Sequence, residues 1–190
     1  MDPIRNYVDD YLSETSEIIQ TINRQGIANA IQLFKELKAR QGRLFILGVG
    51  GSAGNASHAV NDFRKIANIE TYTPTDNVSE LTAWINDVSW EGVFREWLRE
   101  SRLCASDMLL IYSVGGGSAT TSHNLVLSME YAKEVGSKIV SIVSRDGGMA
   151  KMLSDIAILI PVVSSQRITP HAEGWQAVIW HLIVNALVQV

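Results

Sequence analysis

Apolar positions in the first forty residues recur at three- and four-residue spacing: Ile4, Val8, Tyr11, Leu12, Ile18, Ile19 and Ile22, then Ile27, Ala30, Ile31, Phe34 and Leu37. That period predicts two amphipathic helices, interrupted at Gly26 and closed by Gln41-Gly42. Beyond Gly42 the pattern changes to short unbroken apolar runs, as expected of strands buried on both faces. These runs are Arg43–Gly48, Ile69–Tyr72, Asp107–Ser113, Lys138–Ser144 and Ile156–Pro161. Helical stretches are expected between them, over about 52–67, 78–84, 90–103 and 118–135. Asp146-Gly147-Gly148 opens a short helix, and a long one starts at about His171.

Strands alternating with helices imply right-handed βαβ units and a parallel sheet. The expected fold is therefore α/β: a doubly wound five-stranded parallel sheet behind two leading helices. Residues 1–190 form one domain in this reading, with an α/β core over 42–190. The segment 1–41 precedes the first strand, which places its helices to pack on a neighbouring subunit as well as on their own sheet.

Composition narrows the function. The 190 residues carry 16 Lys and Arg against 20 Asp and Glu, a net charge of −4. This balance argues against a general nucleic-acid binder, which needs clustered cations. A single cysteine, Cys104, excludes an internal disulfide and a cysteine-based zinc site, and is expected as a small core residue or a free thiol. No stretch approaches the ~18 consecutive apolar residues of a membrane span. The amino-terminal segment is too acidic for a secretory signal. A cytoplasmic protein without membrane or nucleic-acid partners is expected.

Two glycine-serine loops stand out. Gly48-Val-Gly-Gly-Ser-Ala53 and Ser113-Val-Gly-Gly-Gly-Ser118 each follow a strand and open a helix. Glycines bring backbone N–H groups close to an anion, and the helix amino terminus adds positive potential. Gly50 and Gly51 with Ser52, and Gly115 and Gly116 with Ser113 and Ser118, are thus candidates for a phosphate cradle that needs no lysine. A dinucleotide reading also fits: Gly48-x-Gly50-x-x-Ala53 matches the relaxed fingerprint, with Glu70 about twenty residues on. No Gly-Lys-Ser/Thr follows either loop, so Walker-type binding is excluded.

His58 and Asp62 share one face of the helix leaving the first loop. In the last helix Glu173, Ala177 and His181 step by four, which sets Glu173 and His181 ~12 Å apart along the axis. They meet at one centre only by leaning towards each other. Two histidines and two carboxylates suit a divalent metal such as zinc, and they contain the acid/base pair an enolisation needs. Plainer readings stand beside this one. A histidine on a largely apolar helix is ordinarily a hydrogen-bonded core residue, and His58–Asp62 also fits a helix-surface pair. His171 is read as part of the helix start and His123 as structural. Trp84, Trp90 and Trp97 are read as helix packing, and Trp175 and Trp180 as core or subunit interface.

Taken in order, the Gly-Val-Gly-Gly-Ser-Ala loop, His58, Asp62, Ser113-Val-Gly-Gly-Gly-Ser118, Asp146-Gly-Gly148 and a final helix bearing His181 resemble the sugar isomerase (SIS) domain, and within it the phosphoheptose isomerases. The resemblance implies a flavodoxin-like sheet and a homotetramer with active sites at subunit interfaces. It implies conversion of sedoheptulose 7-phosphate to a glycero-manno-heptose 7-phosphate through an enediol. By the same resemblance Ser52, Ser113 and Ser118 hold phosphate, Asp62 is the base and His181 the acid/base, and Asp87 lies beside the sugar. His58, Asp62, Glu173 and His181 fall on zinc-binding positions. Departures from the family pattern are Asp62 for a glutamate, Glu173 for a glutamine, and Val114 and Gly115 for two hydroxyl residues of the second loop. Two further readings are a non-catalytic phosphosugar-binding regulator or adaptor and a nicotinamide-dependent reductase; the carboxylate at 62 favours an enzyme.

Overall fold

The five apolar runs pair into one parallel sheet in a computed structural model that describes residues 2–190. The strands are β1 (Leu44–Leu47), β2 (Thr71–Tyr72), β3 (Met108–Tyr112), β4 (Lys138–Val143) and β5 (Ile156–Leu159), ordered β2-β1-β3-β4-β5. The flavodoxin-type order reverses direction between β1 and β3, where a crevice opens beyond the strands' carboxyl ends. It differs from the order of dinucleotide-binding sheets, so topology gives the Gly48-x-Gly50-x-x-Ala53 fingerprint no support. Leu44 pairs with Met108 and Leu47 with Ile111, which brings the two glycine-serine loops to the rim side by side.

Among the described residues eight α-helices surround the sheet: α1 (Pro3–Thr21), α2 (Arg24–Ala39), α3 (Gly51–Lys65), α4 (Val78–Asp87), α5 (Val93–Glu100), α6 (His123–Glu134), α7 (Gly148–Leu153) and α8 (Ile168–Gln189). A period of two sorts the central strands between two cores. Leu44, Ile46, Leu110 and Tyr112 pack with residues of α2, α3 and α8, including Phe34, Phe63 and Trp180. Phe45, Leu47, Leu109 and Ile111 pack with residues of α5 and α6, including Phe94, Trp97 and Met129. Trp180 is wholly buried, so it belongs to the core and not to a subunit interface.

Several boundaries differ from the sequence expectation. The leading helices break at Ile22–Asn23, before Gly26, because the Asn23 side chain caps α2 by accepting the Gly26 amide at 3.0 Å. Helix α6 starts at His123 and not near 118, since Ser118–Ser122 remain loop: the Ser118 hydroxyl accepts the amides of Thr120 and Thr121. Cys104 is exposed, a free thiol and not a core residue.

Helix α1 buries only Ile18 and leaves Ile4, Tyr7, Val8, Leu12 and Ile19 exposed. What fixes it is a polar clasp to the start of α8. Arg167 donates twice to the Glu14 carboxylate (2.8 and 2.5 Å), and His171 Nε2 lies 2.7 Å from Glu14 Oε2 while its ring stacks on Tyr11. Those hydrogen bonds, from Arg167 first and His171 second, hold the Glu14 carboxyl at about 2. At the opposite end of the sheet Asp107 receives Arg43 and the Cys104 amide. Burial alone pushes the Asp107 carboxyl up, but these donors outweigh it and hold the group below its usual range. No helix is long and apolar enough to cross a membrane among the described residues.

Candidate active site

The first loop must turn sharply from β1 into α3. Gly50 adopts φ +66°, ψ −130°, a conformation only glycine takes readily, and a Cβ on Gly48 would stand 2.4 Å from the Ser52 carbonyl oxygen. The second loop is longer and is stitched to α7: Ala150 N–H donates to Gly116 O at 2.9 Å and Met149 N–H to Gly117 O at 3.0 Å. Gly116, at φ +75°, lies so close to Gly147 that a Cβ would be 1.9 Å from its carbonyl oxygen. The Ser113 hydroxyl accepts the Gly116 amide at 3.0 Å and so shapes the loop from within.

Between the loops lies a cavity of about 470 Å³. Ser52, Ser113, Gly115 and Ser118 line it, whereas Gly50, Gly51 and Gly116 do not. Thr121, Ser122, Thr169 and Arg145 also face this space, and sequence reasoning did not single them out. The hydroxyl run Ser118-Ala-Thr-Thr-Ser122 was the available signal for two of them. Donors are thus plentiful here despite Val114 and Gly115. Tyr112 forms part of the wall with its hydroxyl buried and without a hydrogen-bond partner, and burial raises its phenol well above the ordinary value.

His58 and Asp62 lie further along α3, against α8. His58, Asp62 and His181 each offer a ligand atom within 4.8 Å of the others. His181 Nε2 is 3.7 Å from Asp62 Oδ2, and the rings of His58 and His181 meet edge to face at 5.5 Å. The Asp62 side chain is 12 % exposed and that of His181 45 %, so one is shielded and the other reachable from solvent. Asn61 donates to Asp62 Oδ1 at 2.7 Å, which leaves Oδ2 towards His181. His181 Nδ1 is 2.7 Å from the Ala177 carbonyl oxygen. A carbonyl only accepts, so Nδ1 carries the proton and the lone pair of the neutral ring is on Nε2. Two imidazoles and one carboxylate with an Nε2 lone pair turned inward fit a divalent cation.

Two expected residues stand apart. The Glu173 carboxylate is over Gly51 at the start of α3, where a Cβ on Gly51 would come within 2.4–2.6 Å of it, and it is outside the three-residue group. Asp87 is exposed at the end of α4, accepts from Asn86 at 2.8 Å, and borders a separate depression with Trp84 and Glu100. His171 belongs to the α1 clasp, as a structural residue.

Comparison with known proteins agrees with this fold. A family model described as SIS domain matches residues 6–144. The lincomycin biosynthesis protein LmbN of Streptomyces lincolnensis is 30% identical over 187 residues, covering 94% of this chain and 68% of its own. A phosphoheptose isomerase of Helicobacter pylori strain P12 is 32% identical over 162 residues, covering 83% of this chain and 80% of its own. The solved structure of a phosphoheptose isomerase from Francisella tularensis superposes with a TM-score of 0.85 at 19% identity, over 100% of both chains, a likeness of fold.

Proposed function

The chain belongs to the SIS domain family, and from that premise we propose that it is a phosphosugar aldose–ketose isomerase that converts sedoheptulose 7-phosphate to a glycero-manno-heptose 7-phosphate. The observation that carries the proposal is the 3.7 Å approach of Asp62 to His181, on two helices, in a chain that also has a hydroxyl-lined cavity at the switch point of the sheet. Asp62 is ten residues beyond Ser52 on the same helix, about 15 Å of rise. The acid–base pair is therefore offset from the cavity along α3.

In this reading Asp62 Oδ2 takes the proton from the carbon beside the carbonyl, giving a cis-enediolate, and then returns it to the neighbouring carbon, which completes the aldose. His181 Nε2 moves a proton between the two enediol oxygens, with its tautomer fixed by the Ala177 carbonyl. Asn61 holds the carboxylate so that one oxygen remains available. The loops anchor the phosphate end and contribute orientation, not proton transfer. His58, Asp62 and His181 would hold Zn²⁺, which would polarise a carbonyl oxygen as a Lewis acid. A bound ion would occupy the Nε2 lone pair, so ion binding through Nε2 and proton transfer by His181 are alternatives. Glu173 joins that set only by leaving its place over Gly51.

The proposal includes self-association into a homotetramer. Exposed apolar side chains on α1 (Ile4, Val8, Leu12) and on α8 (Val178, Leu182) supply surface for it. In such an assembly Asp87, outside the lining of its own cavity, would serve a neighbour's site. Analytical ultracentrifugation tests the assembly: a tetramer is expected, and a monomer at micromolar concentration contradicts it. For the activity, Asp62→Asn and His181→Ala are each expected to slow conversion of sedoheptulose 7-phosphate by about 10²–10⁴-fold. Wild-type turnover in both variants rejects the assignment.

A further inference from the structure

We propose that Arg145 is the specificity-determining residue that clamps the substrate's phosphate, against the second loop and away from the start of α3. This deepens the isomerase reading and rests on it for the identity of the ligand as a phosphate monoester.

Arg145 leaves the carboxyl end of β4 and is the one basic residue among those lining the 470 Å³ cavity. Among the described residues no carboxylate lies within ion-pair distance of it. Asp146, its neighbour in the lining, is turned to α7, where its Oδ1 accepts the Gly148 amide at 3.1 Å. Arg145 also holds φ at +56°. A residue with a long side chain adopts this left-handed conformation at a cost, and such strain concentrates where a side chain must be aimed at a ligand.

The facing wall makes room for it. Gly115 lies opposite, and a Cβ there would stand 3.9 Å from Arg145 Cδ. Val114 and Gly115 bring no hydroxyl to this stretch of the loop. A guanidinium offers two parallel N–H donors in a planar fork that matches two phosphate oxygens. It therefore supplies the number of donors that two hydroxyl side chains would have given, and adds a full positive charge.

The start of α3 is the competing seat, and it already faces an anion. The Glu173 carboxylate covers Gly51, at the positive end of a 15-residue helix. A dianionic phosphate placed there meets a like charge, so the helix amino terminus is closed to it while Glu173 stays. The phosphate is left with Arg145, Ser118 and Thr121, and with Ser52 at the side of the cavity.

The test is isothermal titration of inorganic phosphate, run beside steady-state kinetics on sedoheptulose 7-phosphate, for the wild-type chain, Arg145→Gly, Arg145→Lys and Glu173→Gln. Arg145→Gly is expected to weaken phosphate binding and raise KM by roughly tenfold or more, the loss of charge-assisted hydrogen bonds, with kcat within about threefold. Its melting temperature should not fall, because glycine relieves the positive φ. Arg145→Lys should be intermediate, and Glu173→Gln should bind phosphate more tightly than wild type. Phosphate affinity of Arg145→Gly within about twofold of wild type, a value too small for a lost charged contact, overturns the proposal. So does the absence of saturable phosphate binding by the wild-type chain. If Arg145 governs phosphate binding but the ketose is not converted, the clamp stands and the isomerase reading fails. If conversion proceeds in Arg145→Gly at unchanged KM, the clamp alone fails.

Discussion

The two ends of the site are built by different means. At the cavity end, glycines, hydroxyls and one arginine come from loops after β1, β3 and β4 and, for Ser52 and Thr169, from helix starts, and several of the loop positions hold backbone turns that few residues tolerate. At the other end, His58, Asp62 and His181 project from two packed helices whose spacing alone sets their approach. Loops can be re-shaped to suit the charged part of a ligand, whereas proton transfer needs groups held within a fraction of an ångström. The division predicts that changes on the helices act on kcat and changes on the loops act on KM.

The largest expected effect belongs to the helix end. Asp62→Asn and His181→Ala should each lower kcat by about 10²–10⁴-fold, the range of a lost general acid or base, with KM within a few-fold. An effect confined to KM would erase the distinction between the ends. Next comes the loop backbone: Gly116→Ala forces a Cβ onto the Gly147 carbonyl at positive φ. A cost of about 1–3 kcal/mol is expected, read as a lowered melting temperature, together with a raised KM. Single hydroxyl changes come third. Ser118→Ala and Thr121→Val should raise KM by about tenfold, one hydrogen bond to a charged group, and change kcat by less than about threefold.

The smallest effect concerns the α1 clasp, which flanks Thr169 at the cavity rim. Glu14 has a folded value of about 2 against an ordinary 4.5, so the folded chain holds fewer protons at this group than the unfolded one. Its contribution to stability is therefore fully present above pH 4.5 and is lost as pH falls through about 2. Thermal melts of Glu14→Gln should show a lower melting temperature than wild type near neutrality, and the gap should close towards pH 2. A gap that widens in acid would contradict the clasp.

Legibility in the sequence follows the same division. The strands and most helices were readable because apolar runs and three- to four-residue periods depend on burial alone. The meeting of Asp62 with His181 was implied by the family resemblance and not by spacing, which fixes each residue on its own helix face but not how the two helices pack. Glu173 was expected in the metal set by the family resemblance, but two turns of α8 separate it from His181 and its carboxylate rests on Gly51 instead. The break at Asn23 was missed because a side-chain cap, not the glycine, ends the register. The late start of α6 was missed because Ser118 ties down its own loop. Arg145, Thr121, Ser122 and Thr169 share no period; chain turns after different strands bring them together, and those turns leave little trace in residue order.

The central claim, that the carboxylate at 62 does the chemistry while the cavity does the holding, is tested most directly by proton NMR of sedoheptulose 7-phosphate incubated with the wild-type chain and with Asp62→Asn, with phosphate titrated into both. Growth of an aldose signal with wild type, none with the variant, and equal phosphate affinity in the two is the expected result. Equal aldose formation by both chains, or none by the wild type, would contradict it.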